Sequence, residues 1–185
     1  MSKDFKKKYN LVDPSHPGLR KKVEVFDFKN PPTDPVELAK DLLAHMRYYG
    51  GIGLSANQLG LPYRVFAMEG DPGFVCFNPV ITASAGEDIL LDEGCLTWPG
   101  LYLKKKRPEM IRVRFKDPYG NTVVKKFQGM SSRCFQHELE HMDGENFLMG
   151  ESEFKIQRAK DRQRKLLKKV VRQSNAAARQ QKVRR

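Results

Sequence analysis

The order of patterns along this chain predicts an α+β domain. Three observations carry the expectation: a capped amphipathic helix near the start, strand-like stretches grouped in the middle, and helical stretches after them. The chain has 185 residues, enough for one domain with an appendage. Residues 1–32 hold Pro14, Pro17, Pro31 and Pro32, which interrupt any long element. In "TDPVELAKDLLAHMRYYGG", Asp34 suits a helix N-cap, Pro35 the first helical position and Glu37 a capping box. Val36, Ala39, Leu42, Leu43 and Met46 then recur at helical spacing until Gly50 and Gly51 stop the helix. His45 rides on this helix as a packing or solvated residue.

The stretches "YRVFAM" (63–68) and "GFVCFNPVI" (73–81) are β-branched and aromatic, as strands are. Residues 110–128 alternate on both sides of Asp117-Pro118-Tyr119-Gly120-Asn121, a hairpin signal. A helix follows over 130–142 with Phe135, Leu139 and Met142 on its apolar side, ended by Gly144. A tail from about 154 to 171 is helix-compatible but has few apolar anchors, and "SNAAARQQKVRR" after it has little to bury and is expected to fray. The expected organisation is a body, 1–150, and a basic, partly helical tail, 151–185.

Charge divides the chain the same way. Residues 151–185 carry 13 Lys/Arg against 3 Asp/Glu, whereas 1–150 carry 21 against 19. The tail therefore suggests a polyanionic partner such as RNA, or else a solvated face that keeps the protein soluble. Cys76, Cys95 and Cys134 are an odd number without framework spacing, which points to a reducing, cytoplasmic setting. No run is apolar enough for a membrane span, and "MSKDFKKKYN" lacks the apolar stretch of a secretory signal.

The chemistry concentrates in "QHELEHMDGE". His137 and His141 stand four apart, on one helical face, with Glu138 beside them; this is the H-E-x-x-H pattern of a metal site with its own base. Such a site needs a third ligand and an open position. The extended protease pattern would place a histidine where Phe147 stands, and Glu151 and Glu153 lie past the helix end. Cysteine remains. Cys134 is on the same helix, but three ligands from so short a stretch would crowd one side of the ion. Cys95, in the rigid "LDEGCLTWPG", is the better candidate, and a thiolate with two imidazoles suits Fe²⁺ or Zn²⁺. A third stretch, "GIGLSANQLG" (51–60), lacks the Lys-Ser/Thr of a phosphate loop; it reads as a backbone edge approached by a ligand, with Gln58 as amide donor.

Together the three stretches resemble the peptide deformylase family, whose members carry G-x-G-L-x-A-x-Q, E-G-C-L-S/T and Q-H-E-x-D/E-H in that order. Here they read Gly51 to Gln58, Glu93 to Thr97 and Gln136 to His141. "HPGLRKK" (16–22) is similar to the family's proline-then-leucine-arginine stretch, and the likeness covers roughly 10–150. The resemblance implies small mixed or antiparallel sheets packed around a central metal-binding helix, with N- and C-terminal helices. It implies hydrolysis of the formyl group from N-formylmethionyl nascent peptides, releasing formate, by a monomeric enzyme. It implies Cys95, His137 and His141 as ligands of one divalent ion, Fe²⁺ or else Zn²⁺ or Ni²⁺, with bound water as nucleophile and Glu138 as base and acid. Gln58 and the Leu96 N–H become oxyanion donors. Ile52, Gly53 and Gly94 bind the substrate backbone, while Leu91, Met130, Cys134 and the His137 ring line a methionine pocket. The cationic tail is similar to a helix that docks bacterial members on the ribosome. The chain departs from the pattern at Ser55, usually alanine, at Glu140, often aspartate, at Arg133, often apolar, and at Tyr102, near a bacterial arginine. The rival readings are a zinc endopeptidase and an RNA-binding module with a degenerate metal site.

Overall fold

The structure, a computed structural model, describes residues 6–71 and 73–183, with side chains to 174. The first helix, α1 (Pro35–Tyr48), begins where expected: Asp34 Oδ1 accepts from the N–H groups of Val36 and Glu37 at 2.8 and 3.0 Å. The reciprocal half of the capping box is not made. Glu37 instead pairs with Lys40 one turn on, at 2.7 Å. The buried stripe is Leu38, Ala39, Leu42 and Met46, so it is rotated slightly towards Leu38 from the expected one. His45 is fully buried, and its Nε2 accepts from the N–H of Lys8 and of Tyr9, at 3.2 and 2.9 Å, which pins the N-terminal segment across α1.

Five strands form a single antiparallel meander in sequence order: β1 (Gly53–Ser55), β2 (Val65–Met68), β3 (Phe74–Cys95), β4 (Trp98–Lys116) and β5 (Thr122–Gln128). One continuous sheet thus replaces the several small ones expected. The larger difference is β3. It continues from the expected strand at 73–81 through "TASAGEDIL" to Cys95, making a long ribbon with β4. Residues 82–88 are exposed and held by backbone pairing, so they carry no alternation that a sequence pattern could reveal. Register shifts between Phe77 and Val80 and between Ala85 and Asp88 bend the ribbon; Asn78 adopts φ 50° at the first. The hairpin between β4 and β5 forms as expected. Asp117 Oδ1 accepts from the N–H of Tyr119 and Asn121, each at 2.9 Å, and Gly120 takes φ 83°.

Helix α2 (Gly129–Met142) packs on the sheet, with Phe135 edge-on to Phe66 and beside Phe127. At its end Gly144 takes φ 82°, and a Cβ there would lie 2.9 Å from the backbone of Lys21. Helix α3 (Glu153–Val183) runs well beyond the expected 154–171 and includes backbone where fraying was expected; residues 184–185 lie outside the described ones. Among its described side chains only Ala159 is buried, against Leu101, Leu103 and Phe147. Among the described residues, no helix is long and apolar enough to cross a membrane.

Candidate active site

The fold brings the three sequence motifs to one point. α2 carries His137, Glu138 and His141 on its inner face. The β3–β4 ribbon turns tightly after Cys95, so this residue is the last of a strand and sits at the ribbon tip. The potential ligand atoms of Cys95, His137 and His141 all lie within 4.8 Å of one another, and Cys95 Sγ is 3.1 Å from His141 Nε2. Cys134 is not in this cluster. Its thiol donates to Ile52 O at 3.3 Å and forms part of a cavity wall.

Electrostatics suit a cation there. Burial, then the charges of His137 and Arg107, keep His141 neutral, well below the usual histidine range. Burial also acts against charge on His137, but bonds to Cys95 and Glu93 outweigh it and raise that ring to about 10. The site therefore stabilises positive charge between a sulfur and a carboxylate, and a divalent ion supplies that charge as well as a proton does. Thiolate and imidazole form an accepted donor set for such an ion. Glu138 is 4 % exposed, and its Oε2 has no partner among the described residues. Burial pushes its carboxyl up to about 7, despite the opposing attraction of His137.

Gln58 is 1 % exposed and held at both ends of its amide. Its Oε1 accepts from the N–H and the hydroxyl of Ser55, each at 3.0 Å. Since a backbone N–H can only donate, the amide cannot be flipped, and Nε2 must face the metal cluster. There it donates to Thr97 Oγ1 at 2.9 Å and lies 3.4 Å from Cys95 Sγ. Gly53 lies directly under Glu138 and Cys134; a Cβ would strike the Glu138 carboxylate and come within 2.7 Å of Cys134 Sγ.

A cavity of about 560 Å³ opens onto the cluster. Ile52, Gly53, Gln58, Gly94, Cys95, Leu96, Met130, Cys134, His137 and Glu138 all line it, and His141 lies deeper, 1 % exposed. Leu91 does not line it and is 42 % exposed. Arg133 takes that wall, bonding Lys105 O at 2.9 Å and Ile89 O on the two ribbon strands.

Arg133 also belongs to a buried ionic network that sequence reasoning missed. Glu93 Oε2 stands 3.2 Å from His137 Nδ1, while Glu93 accepts from Arg107 at 2.5 and 2.8 Å and from Arg133 at 2.5 Å. Arg107 in turn holds Glu140 at 2.6 and 2.9 Å. Burial would raise Glu93, but bonds from His137 and Arg107 hold it well below the usual carboxylate range. A charged Glu93 fixes which ring nitrogen of His137 carries the proton. The available signal was Glu93 itself, two residues before Cys95. Its arginine partners lie 14 and 40 residues further on, where no local pattern connects them.

The profile of the family described as polypeptide deformylase matches residues 8–157. The chain belongs to the polypeptide deformylase family. Among relatives of this deformylase-family chain, a peptide deformylase of Synechococcus sp. (strain CC9605) is 41% identical over 119 residues, covering 60% of this chain and 59% of that protein. A peptide deformylase of Rhodopirellula baltica is 40% identical over 114 residues, covering 58% and 56%. The chain thus spans less than two thirds of the length of these curated relatives. Among solved structures, a peptide deformylase from Synechococcus elongatus in complex with actinonin aligns with TM-score 0.78 and 30% identity over 85% of this chain and 87% of that one. One from Legionella pneumophila gives 0.77 and 27% over 89% and 98%. The family match ends near the start of α3, so most of the basic helix lies outside it.

Proposed function

We propose that this deformylase-family chain removes the formyl group from N-formylmethionine at the start of new polypeptides and releases formate. The observation that carries the reading is the convergence of Cys95, His137 and His141 on one point beside Glu138, whose Oε2 has no partner among the described residues, and the fixed Gln58 amide. Cys95, His137 and His141 hold one divalent ion, Fe²⁺ as the native choice and Zn²⁺ or Ni²⁺ as substitutes; the mixed thiolate–imidazole donor set supports all three. When bound, the ion polarises the formyl carbonyl and makes water acidic enough to attack at neutral pH.

The remaining work belongs to the chain. Glu138, raised by burial, takes a proton from the attacking water and passes it to the leaving amine. Gln58 Nε2 and the Leu96 N–H donate to the oxygen that gains charge, an effect of about 2.7–4 kcal/mol per donor in other hydrolases. Ile52, Gly53 and Gly94 bind the extended peptide along the edge of β1 and the ribbon. Met130, Cys134 and the His137 ring receive the methionine side chain; Met130, 54 % exposed, stands at the mouth. The Arg133 stem takes the place first expected for Leu91. Residues 1–150 form the catalytic unit and 151–185 an appended tail that meets ribosomal RNA. The chain works as a cytoplasmic monomer, in keeping with three free buried thiols.

The test is formate release from formyl-Met-Ala-Ser under anaerobic conditions with added Fe²⁺. Formate is expected from the wild-type chain and not from Glu138→Ala. Cleavage of internal peptide bonds without formate would instead support an endopeptidase.

A further inference from the structure

A second groove, about 320 Å³, lies between the β3–β4 ribbon and the first turns of α3. Its lining includes Leu90, Leu103 and Phe154, and beside them Lys104, Arg158 and Arg162. Three observations single it out. Asp92 lines both this groove and the active-site cavity, so the two are neighbours on the ribbon. Phe154, Arg158 and Arg162 recur every four residues and so share one face of α3, with the Arg158 guanidinium 5.7 Å from the Phe154 ring centroid. Glu151 is engaged with Lys105 and Lys155, and Asp161 with Arg164, so the acidic residue lining the groove is Asp92, opposite Lys104 across the ribbon. Among the described residues, Lys104, Arg158 and Arg162 form no ion pair, and all three are exposed.

We propose that this groove is a downstream subsite of the substrate, which takes acidic side chains of the polypeptide beyond the residues held in the cavity. The inference rests on the deformylase reading and extends it to substrate preference. An extended peptide advances about 3.3 Å per residue, so the residues that follow those held in the cavity reach past Asp92 to the groove. Its backbone and apolar groups then meet Leu90 and Phe154, and its carboxylates meet Lys104, Arg158 and Arg162. Nucleic acid fits less well. It would have no reason to continue into a cavity shaped for a peptide. Because the three cations are exposed, the preference is modest, about three- to tenfold, and screened by salt.

The experiment compares kcat/KM for formyl-Met-Ala-Ser and for the same peptide extended by Asp-Glu-Asp-Glu, by Ser-Gly-Ser-Gly or by Lys-Lys-Lys-Lys. The metal-loaded full chain, Arg158→Glu/Arg162→Glu and, independently on the ribbon, Lys104→Glu are tested. The wild-type chain is expected to favour the acidic extension over the neutral one, mainly through KM, and to disfavour the lysine extension. The preference is lost at high salt and in the variants, which still hydrolyse the tripeptide at the wild-type rate. Equal kcat/KM for all extensions, with normal tripeptide hydrolysis, overturns the subsite while leaving the deformylase reading intact. So does a flat peptide series combined with a labelled RNA oligonucleotide that binds wild type and not the variants. If no formyl peptide is hydrolysed, the tripeptide included, the deformylase reading falls and takes the subsite with it.

Discussion

Helices α2 and α3 use opposite strategies. α2 has 14 residues, and its buried set includes Ser132, Arg133, Gln136, His137, Glu138 and His141. α3 has 31 residues and, as far as side chains are described, buries only Ala159. A short helix that buries this much polarity is stable only because most of its polar groups have partners: Glu93 for Arg133 and His137, and Pro108 O for Ser132 and Gln136. The groups left over, Glu138 Oε2 and His141 Nδ1, lie at the reactive centre. A long exposed helix has no such constraint, and its charges act through a field that salt can screen. Fixed geometry therefore belongs to the helix whose side chains are buried and paired, and a screenable field to the helix whose side chains face water.

The largest expected effect breaks the buried helix's purpose without touching it. Cys95→Ala removes a ligand from the ribbon, and elemental analysis should find the metal lost along with formate release; stoichiometric metal in that variant would contradict the assignment. Next, Glu138→Ala should retain metal while kcat/KM falls on the order of 10²–10⁴-fold, the usual range for losing a general base. The same residue sets the pH profile. Only ionised Glu138 accepts a proton, so activity should rise with pH through a limb between the ordinary carboxylate value and about 7, because a bound cation lowers the value set by burial. A limb lying higher would assign the base elsewhere. The sign for stability is opposite: a raised carboxyl stabilises the metal-free fold at low pH, and that contribution is lost as pH rises through about 7.

Smaller effects sharpen the contrast. Glu93→Ala removes the carboxylate shared by Arg107 and Arg133, leaving Arg107 with Glu140 and Arg133 with ribbon carbonyls, and urea unfolding should show a loss of about 3 kcal/mol. Because His137 loses its orienting carboxylate as well, metal affinity should weaken about 10–100-fold. The smallest effect is expected from α3. Truncation after Arg164 keeps Ala159 in its contact and the 2.6 Å bond from Gln163 to Pro99 O, while removing eight basic residues, from Lys165 to Arg185. Tripeptide hydrolysis should be unchanged, and ribosome co-sedimentation should weaken at low salt. Equal co-sedimentation with and without those residues would remove the ribosomal role.

Much of this was readable in advance because the signals are local. A cap, a hairpin turn and two histidines four apart each depend on residues within one turn or one strand, so Asp34, Asp117–Asn121 and the His137–His141 pair could be read directly. The order of the three motifs, and the want of any downstream ligand, pointed to Cys95 before any coordinates did. What could not be read was nonlocal. The extension of β3 through residues 82–88 is held by backbone pairing on exposed faces and leaves no hydrophobic pattern. Arg133 departs from the apolar expectation because Glu93 and two ribbon carbonyls satisfy it. The amide direction of Gln58, the orienting of His137 by Glu93 and the adjacency of two cavities at Asp92 all depend on distances between residues far apart in the chain. The sequence by itself determined which groups are candidates for the chemistry, because donor type and helical spacing are properties of single residues and short runs. Only the tertiary structure decided how those groups are held and what flanks them, because burial, pairing and a shared cavity wall exist only once the ribbon has folded back over α2.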